Sequence, residues 1–405
     1  YNALIFSPMS IVSTTMCYPN PASPTQGVFV ERRLKAIALT KSLRVVTPIP
    51  WFPFIRPLTF PNAPNLKAMP PVWHPRMFYF PGVAKDHDAM FYRWAFSRTL
   101  NSLQSKEPVH VVDAHFEWPD GVGAFYAAQQ AGLPFVCTLR GKLVSQIKFP
   151  RRREQIVEML RGASALIAVS QSLADLAAEV AGRKLNIRVI PNGIDSAAFH
   201  RIEQGQSAAE PAPGARKSLA WPADAKVAVS IGHLQELKGF HRLVSVWPAV
   251  RRQIGDARLI LVGGSAGEPD YEWRLNRQIV SVKMADHIEL AGRVPPEKVA
   301  TMLNAADLFL LASRSEGWCN AIAESLACGC PVVATDVGGN REIINDPALG
   351  RLVDTHAGAE LETLIVEAFP TTWDRTHLAA KGSERTWQQV AAECVDVLES
   401  VQRKR

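Results

Sequence analysis

Two glutamates, Glu316 and Glu324, are separated by seven residues. In a continuous helix this spacing is a rise of about 12 Å. The two carboxyls of a glycosidase lie about 5 Å apart in retaining enzymes and roughly 6.5–9.5 Å apart in inverting ones. The spacing therefore disfavours a glycosidase pair and suits two contacts to an elongated, polyhydroxylated ligand. From the residues alone, a solvated Glu316 and a Glu324 that merely favours helix is an equally good interpretation.

A lysine in a glycine-rich turn provides a second candidate for chemistry. The expected strand Lys226–Ile231 is followed by Gly232, His233, Lys238 and Gly239. A glycine and a cation between a strand and a helix are typical of a phosphate site, where the lysine ammonium acts as a compact charge. The backbone amides of residues 317–320, at an expected helix start, would also stabilise an anion.

These candidates lie on elements of one repeating type. Residues 307–312 form an apolar run typical of a strand buried on both faces. Residues 320–328 predict a helix capped by Asn320, and residues 331–335 predict the next strand. A strand–helix–strand unit implies parallel strands with a right-handed crossover. Because the same alternation runs through both halves, the sequence predicts two doubly wound, Rossmann-like α/β domains facing across a cleft.

The predicted division places an N-terminal domain at residues 1–202, a linker rich in Gly, Ala, Pro and Gln at 203–215, and a C-terminal domain at 216–385. Residues 3–6 predict an opening strand. Residues 48–81 carry many aromatic and proline residues without periodicity, which is typical of a functional loop or of a loop packed on its own domain.

Three residues of the first half are candidates because of their place relative to expected strands and helices. Gly27 precedes an amphipathic helix and could offer its amide to a phosphate. His115 closely follows the expected strand at residues 109–113, and Arg140 follows that at residues 135–139. Open α/β sheets bind ligands at the carboxyl ends of their strands.

The order Glu316-Gly317, Glu324, Ala327-Cys328-Gly329-Cys330-Pro331, Gly338-Gly339 and Glu342 resembles the retaining glycosyltransferases of family 4, which have the two-domain GT-B architecture. The resemblance implies that Glu316 contacts the donor sugar, that Glu324 contacts the ribose and that Lys238 contacts the diphosphate. It also implies that helix 386–405 packs back on the first domain. The site residues it implies are catalytic Glu316, Lys238, Arg140 and His115, and donor-binding Gly27, His233, Arg293, Val294, Gly317, Trp318, Cys319, Asn320 and Glu324.

Two positions depart from the family pattern. Arg140 stands where members commonly carry a histidine, and an arginine is a poor general base. His233 replaces an arginine, so a diphosphate contact that depends on protonated His233 would weaken above about pH 6.5.

The expected activity is transfer of a hexose, with retention, from a UDP- or GDP-linked sugar to a saccharide or lipid-linked saccharide, as in polysaccharide or glycolipid biosynthesis. The resemblance implies no cofactor and no metal. Two alternatives stay open: a nucleotide-sugar epimerase or hydrolase on the same architecture, and a sugar-nucleotide-binding protein without activity.

Composition and charge limit the classes of partner that the protein is expected to bind. The chain has 405 residues, 47% of them apolar, and a net charge of +7. Of this, +10 falls in residues 1–200 and −3 in the rest, so the halves are expected to meet different partners. The basic stretch Arg140–Arg161 is interpreted either as a solvated helix or as a contact for an anionic membrane surface. Nucleic acid is not expected, because no binding motif accompanies the charge.

The expected location is the cytoplasm, with peripheral attachment to the inner face of the plasma membrane as an option. Six scattered cysteines suit a reducing compartment, and no run of 18 apolar residues occurs. The triplet Asp86-His87-Asp88 and the group of Cys319, Cys328 and Cys330 are both interpreted as not binding metal.

Overall fold

The computed structural model describes residues 9–21, 23–24, 26–53, 65–202, 209–265, 267–354 and 358–403. The chain forms two compact units. The first unit is Tyr1–Gly193 together with Trp387–Arg405, and the second is Ile194–Thr386.

The strands are short and mostly buried along their whole length. They are β1 (Ser10–Thr14), β2 (Ser42–Val46), β3 (Ile49–Trp51), β4 (Val72–Trp73), β5 (Arg76–Phe78), β6 (Val111–His115), β7 (Phe135–Leu139), β8 (Ala165–Ala168), β9 (Ile187–Val189), β10 (Lys226–Ile231), β11 (Ala257–Val262), β12 (Ile288–Gly292), β13 (Leu308–Leu311), β14 (Val332–Thr335) and β15 (Gly350–Val353).

Helices connect the strands and cover the sheets. They are α1 (Val28–Ala38), α2 (Asp88–Gln104), α3 (Val122–Gln130), α4 (Leu143–Gln146), α5 (Pro150–Gly162), α6 (Gln171–Ala181), α7 (Pro213–Ser218), α8 (Phe240–Ile254), α9 (Tyr271–Ser281), α10 (Pro296–Ala305), α11 (Asn320–Ala327), α12 (Asn340–Ile343), α13 (Gly358–Ala368), α14 (Arg375–Gly382) and α15 (Trp387–Gln402).

The first unit is built on a parallel sheet with the order β4-β2-β1-β6-β7-β8-β9. The small parallel pair β3-β5 lies outside this sheet. The chain leaves β1 toward β2 on one side and later adds β6 on the other. The order of the strands therefore reverses between β1 and β6, which is where doubly wound sheets bind ligands, at the carboxyl ends of the strands.

The second unit repeats the arrangement. Its parallel sheet has the order β12-β11-β10-β13-β14-β15, so the reversal lies between β10 and β13. Strand β13 and strand β14 are completely buried, as their unbroken apolar sequences predict. The two sheets confirm the predicted fold of two doubly wound α/β domains.

The last helix belongs to the first unit. Helix α15 places Trp387, Val390, Cys394 and Leu398 in the core that also holds Leu34 of α1. Spacings of three and four residues put these side chains on one face of the helix. The end of the chain therefore completes the core of the unit with which the chain begins.

Three expectations from the sequence are corrected. The strand β1 was not predicted, although it lies inside the first sheet between β2 and β6. The stretch 48–81 is not structureless, since β3, β4 and β5 lie within it. Asn320 does not cap α11: it is the first helical residue, and Cys319 stands at the N-cap without a capping side-chain bond.

The other differences concern boundaries. The first unit ends at Gly193 rather than at residue 202, because Ile194 and Phe199 pack in the core of the second unit. The predicted basic helix is divided into α4 and α5. The predicted strand at residues 3–6 lies outside the described residues, as does the part of the predicted linker at residues 203–208.

Candidate functional site

The candidate site of the second unit lies at the reversal of its sheet. The loop after β10 carries Lys238, and the loop after β13 carries Glu316. A backbone hydrogen bond from Arg314 N to Leu237 O, 2.9 Å long, joins the two loops. Lys238 and Glu316, which are 78 positions apart in the sequence, therefore come into direct contact.

Lys238 and Glu316 form an ion pair. Lys238 Nζ lies 2.7 Å from Glu316 Oε1, with side chains that are 22% and 8% exposed. The Ser313 hydroxyl donates to the same oxygen over 2.7 Å. Thr335 Oγ1 in turn donates to the backbone oxygen of Ser313 over 2.6 Å. Two neighbouring strand ends thus hold the Glu316 carboxylate in one position.

Two glycines allow the loops to approach this closely. A Cβ atom on Gly239 would lie 1.9 Å from Ala312 O, and one on Gly338 would lie 1.8 Å from Glu316 O. Both glycines also have a positive φ, of 72° and 54°. Any side chain at these positions would push apart the backbone that carries the ion pair.

The ion pair decides the protonation of its lysine. Burial by itself lowers the pKa of Lys238, but the charge and hydrogen bond of Glu316 outweigh it, and the pKa is raised overall. Lys238 therefore keeps its positive charge at neutral pH while it is largely removed from water. A charged ammonium in such a place is suited to an anionic ligand.

The second glutamate lies near the same point. The buried Cys319 thiol has its pKa raised to about 12 by burial, with Glu316 and Glu324 adding to the shift and Lys238 opposing it. The pKa of this one thiol is therefore affected by all three charged groups, Glu316, Glu324 and Lys238. Cys319 is a small apolar neighbour of the ion pair and, since its thiolate is disfavoured, it is not a nucleophile.

The start of α11 offers donors beside the carboxylates. Among the described residues, no acceptor is found for the backbone N–H groups of Gly317, Trp318 and Cys319. Trp318 is half-buried, and its indole Nε1 is also without a partner in the part of the chain that the structure describes. These groups precede a helix N-terminus, where partial positive charge accumulates.

Two further candidates, the neutral His233 and the charged Arg293, lie at the neighbouring strand ends. His233 has its pKa lowered by partial desolvation and by the charges of Lys238 and Arg293. At neutral pH its imidazole is therefore uncharged in the unliganded protein, which moves the expected pH threshold to below 6.5. Arg293 follows β12 and donates to Ser265 O over 2.9 Å, and Val294 packs against the core of the second unit.

The first unit has a separate polar cluster at the reversal of its own sheet. His115 is the last residue of β6 and is completely buried. Its Nε2 lies 3.2 Å from Asp113 Oδ2, and its Nδ1 lies 3.4 Å from Arg140 Nη2. Arg140 also donates to Asn192 Oδ1 over 3.1 Å and is only 8% exposed.

Burial controls the charges in this cluster. It lowers the pKa of His115 to about 4, with Arg140 and Arg33 adding to the effect and Asp113 opposing it. Burial, together with Arg33, lowers the pKa of Arg140 to about 9. At neutral pH the imidazole is neutral and the guanidinium is still charged. A neutral, inaccessible histidine beside a charged arginine supports the arginine and is badly placed to receive a proton from a substrate.

Two carboxylates of this region were not predicted as functional. Glu117 Oε1 accepts the backbone N–H groups of Arg140 and Gly141, and Asp120 Oδ2 accepts the Thr15 hydroxyl. Both side chains are completely buried, and burial raises both pKa values. The signal available in the sequence was the cluster of polar residues directly after β6.

Gly27 has a structural reason to be glycine. It precedes α1 with φ of 68°, and a Cβ atom there would lie 2.0 Å from Cys17 O. Its role as a phosphate contact stays a prediction.

The acidic triplet that is predicted not to bind metal forms ion pairs with basic side chains. Asp86 binds Arg152 over 2.7 Å, and Asp88 lies 3.5 Å from Lys85. Within the described ranges, no group of three or more His, Cys, Asp or Glu side chains is placed to hold a metal ion.

The structure thus forms two sets from the predicted residues. In the second unit it brings together Lys238, Glu316, His233 and Arg293, with Glu324 and the start of α11 nearby. In the first unit it brings together His115 and Arg140. Ser313, Thr335 and Gly338 complete the second-unit set and were not predicted as site residues, because their contacts join strand ends that are distant in sequence.

The sequence matches two family models. Residues 213–382 match the family described as Glycosyl transferases group 1, and residues 44–198 match that described as Glycosyltransferase Family 4. These matches confirm the resemblance seen in the motifs.

Relatives of known name are transferases. The chain is 29% identical, over 346 residues, to the Bacillus subtilis (strain 168) protein TuaC, named for a glycosyltransferase of teichuronic acid biosynthesis; the match covers 82% of each chain. It is also 29% identical, over 277 residues, to a D-inositol 3-phosphate glycosyltransferase of Acidothermus cellulolyticus, covering 64% of this chain and 59% of that one.

Solved structures share the fold. Sucrose-phosphate synthase from Thermosynechococcus elongatus superposes with a TM-score of 0.80 at 20% identity, covering 98% of this chain and all of that one. Anabaena HepE, in complex with UDP and glucose, superposes with a TM-score of 0.73 at 20% identity, covering 97% and 100%. Among the described residues, no helix is both long enough and apolar enough to cross a membrane.

The lowered pKa of His115 predicts how stability depends on pH. Between about pH 6.5 and pH 4 an unfolded histidine binds a proton that the folded one does not, so stability falls as the pH decreases through this range. A pKa of 4 instead of 6.5 corresponds to about 3 kcal/mol. We expect His115→Asn, which cannot titrate, to lose less stability than the wild type between pH 7.5 and pH 4.5.

Urea titrations at both pH values measure this difference, and other titrating groups contribute equally to the two proteins. His110→Asn serves as the control, because His110 flanks the opposite end of β6 and is partly exposed. An equal loss of stability in the wild type and in His115→Asn would contradict the assignment of a neutral, buried His115.

Proposed function

Because the chain belongs to glycosyltransferase family 4, within the glycosyl transferases of group 1, we propose that it transfers a hexose, with retention, from a UDP- or GDP-linked sugar to a saccharide or lipid-linked saccharide. The process would be the synthesis of a polysaccharide or glycolipid. The observation that carries the proposal is the contact of 2.7 Å between Lys238 Nζ and Glu316 Oε1 at the strand reversal of the second unit.

Lys238 is assigned to the diphosphate of the donor. When the bond between the sugar C1 and the phosphate oxygen breaks, negative charge develops on the leaving diphosphate. A fixed ammonium beside that oxygen stabilises the charge without reorganisation. Arg293 adds positive charge on the same side, and His233 can donate a hydrogen bond as a neutral imidazole. With Lys238 and Arg293 assigned to the diphosphate, the proposal assigns no divalent cation to its neutralisation.

Glu316 and the start of α11 are assigned to the sugar. A carboxylate accepts hydrogen bonds from hydroxyl groups, and the N–H groups of residues 317–319 donate them. Glu324, four residues into α11, is assigned to the ribose. In a nucleotide sugar the diphosphate lies between the sugar and the ribose. Lys238 is therefore assigned to the middle of the donor, and Glu316 and Glu324 are assigned to the sugar and the ribose on either side of it.

Retention follows in this proposal from attack on the face that the diphosphate leaves. The acceptor oxygen forms its bond to C1 as the bond between C1 and the phosphate oxygen breaks, and the proton of the acceptor hydroxyl passes to the diphosphate. Glu316 is occupied by Lys238 and Ser313, so it is assigned no role as a nucleophile. The proposed donor nucleotide is UDP or GDP; HepE, which shares the fold, has been solved with UDP-glucose.

Substitution of the ion pair tests the proposal. We expect Lys238→Ala and Glu316→Gln each to reduce transfer at least about a hundredfold, since each removes a charge that acts in the transition state. The control is Lys381→Ala. Lys381 and Glu384 form an ion pair with the same separation of 2.7 Å on the surface of the second unit.

Initial rates with each nucleotide sugar and a panel of saccharide acceptors provide the measurement, and thermal unfolding verifies that the variants fold. Near-normal transfer in either site variant would contradict the assignment. The anomeric configuration of the first product, read by NMR, tests retention separately.

Donor identity and metal dependence are tested by ligand-induced stabilisation. We expect a UDP or GDP sugar to raise the melting temperature, because a ligand that binds only the folded state stabilises it. The shift should persist in EDTA and should be lost in Lys238→Ala. A shift that requires a divalent cation would contradict the proposed neutralisation by side chains.

An anionic membrane surface is proposed as a further partner of the first unit. The exposed large apolar side chains of the first unit include five that are between 37% and 63% exposed: Phe78, Val83, Met90, Trp94 and Phe149. The exposed cations Lys148, Arg151 and Arg153 lie on the same segment as Phe149. Arg152 joins this segment to the turn that precedes α2, since it packs 4.0 Å from the Phe149 ring and binds Asp86. Apolar side chains among cations suit the interface of an anionic bilayer.

Vesicle sedimentation tests this surface. We expect binding to phosphatidylglycerol vesicles at low salt, weaker binding at high salt, and weaker binding of Trp94→Ser. Trp273→Ser is the matched control, because Trp273 is 59% exposed in the second unit and Trp94 is 58% exposed in the first. Absence of sedimentation at low salt, or an equal effect of both substitutions, would overturn the membrane assignment.

A further inference from the structure

A chain of hydrogen bonds runs through the buried cluster of the first unit. It begins at Asp113, whose Oδ2 accepts the Ser13 hydroxyl over 3.0 Å, passes through His115, and ends at Arg140, which donates to Asn192. Ser13 lies on β1, Asp113 and His115 lie on β6, and Arg140 directly follows β7. These strands are adjacent in the sheet, so their carboxyl ends bring the four residues together.

The chemistry of arginine fixes the tautomer of His115. A guanidinium has only donors, so the contact of 3.4 Å between Arg140 Nη2 and His115 Nδ1 requires Nδ1 to be the acceptor. The ring proton is therefore on Nε2, which lies 3.1 Å from the Ser13 hydroxyl oxygen and 3.2 Å from Asp113 Oδ2. Because the Ser13 hydroxyl donates to Asp113 Oδ2, its oxygen is free to accept from Nε2. Asp113 selects the one tautomer of a neutral imidazole that can hold Arg140.

We propose that Asp113 and His115 form a positioning pair that fixes the Arg140 guanidinium at the carboxyl end of β7. The inference rests on the proposed function, and it retains the expectation from the sequence that Arg140 acts in the transfer reaction. His115 is completely buried, so it acts through Arg140 and does not touch the substrate. This revises the expectation from the sequence that His115 is itself catalytic.

The surroundings hold the arrangement in place from several sides. Arg33 of α1 is 1% exposed and acts on the charges of Asp113, His115 and Arg140. Cys394 of α15 closes the cluster toward the last helix. The Phe29 ring lies 5.2 Å from the Arg140 guanidinium carbon.

Burial explains why such a pair is needed. An arginine side chain has several rotatable bonds, and in water it would adopt many rotamers. Here its two terminal nitrogens donate to His115 and Asn192, and its backbone N–H donates to Glu117. Loss of the acceptor at Nδ1 would leave a buried charged donor without its partner, which costs more than an ordinary hydrogen bond contributes.

The first arm of the test reads the tautomer by NMR with ¹⁵N-labelled histidine. We expect the His115 signals, identified by their absence in His115→Asn, to show an unprotonated Nδ1 and a protonated Nε2 at pH 7. We expect Arg140→Met to weaken this preference. A proton on Nδ1, or a doubly protonated ring at pH 7, would overturn the proposal. This arm does not depend on transfer, so it separates a failure of the pair from a failure of the proposed function.

The second arm measures kcat for release of UDP from UDP-glucose. We expect His115→Leu to lower kcat about ten- to a hundredfold, the range that follows from losing a hydrogen bond to a charged group. His115→Asn should recover part of the loss, since the Asn oxygen can replace Nδ1 as acceptor. Affinity for the donor should not change, because Lys238 and Glu316 lie in the other unit.

A double-mutant cycle distinguishes positioning from a general structural role. If His115 acts through Arg140, then His115→Leu has no further effect on kcat in an Arg140→Met background. His110→Leu, on the other end of the same strand, is the control and should leave kcat unchanged. A wild-type kcat in His115→Leu, or the same fold-loss in both backgrounds, would overturn the proposal.

Discussion

The ion pair between Lys238 and Glu316 is the interaction on which the second unit's ligand edge depends. An ammonium and a carboxylate 2.7 Å apart, both largely removed from water, stabilise each other only because each is present. Removal of either partner would leave a charge that is desolvated and uncompensated. The pair therefore keeps a positive charge ready for an anionic ligand at a place where a lone lysine would tend to lose its proton.

The contact between Lys238 and Glu316 depends on the strand order of the sheet and on two glycines in the loops. Lys238 and Glu316 follow β10 and β13, which are neighbours in the sheet although two strands and three helices separate them in sequence. The reversal of strand order at this point leaves space above the strand ends, since the connections leave in opposite directions. Gly239 and Gly338 then let the loops approach to distances that exclude any side chain. The topology and the two glycines together determine where the charges meet.

The two units use the same topology for different electrostatics. At the reversal of the second sheet, the charged groups are partly open to solvent and include a fixed cation beside a carboxylate. At the reversal of the first sheet, Asp113, His115 and Glu117 are completely buried, and burial lowers the pKa of His115 and raises that of Glu117. The first arrangement is suited to binding a charged ligand, whereas the second is suited to holding one arginine in a fixed place.

The sequence by itself determined the fold class, the position of most strands and helices, and the residue types of the donor site. Apolar runs and glycine turns are local signals, so β7 and β10 could be predicted to the residue. The family motif around Glu316 indicated which residues were expected to contact the donor. Only the tertiary structure decided that Ser13, from a strand that was not predicted, meets Asp113 and His115, and that His115 is buried instead of exposed. It also decided that Ser313 and Thr335 support Glu316. Such contacts join strand ends that are far apart in the chain, and burial depends on which elements cover a residue, so neither can be read from local sequence.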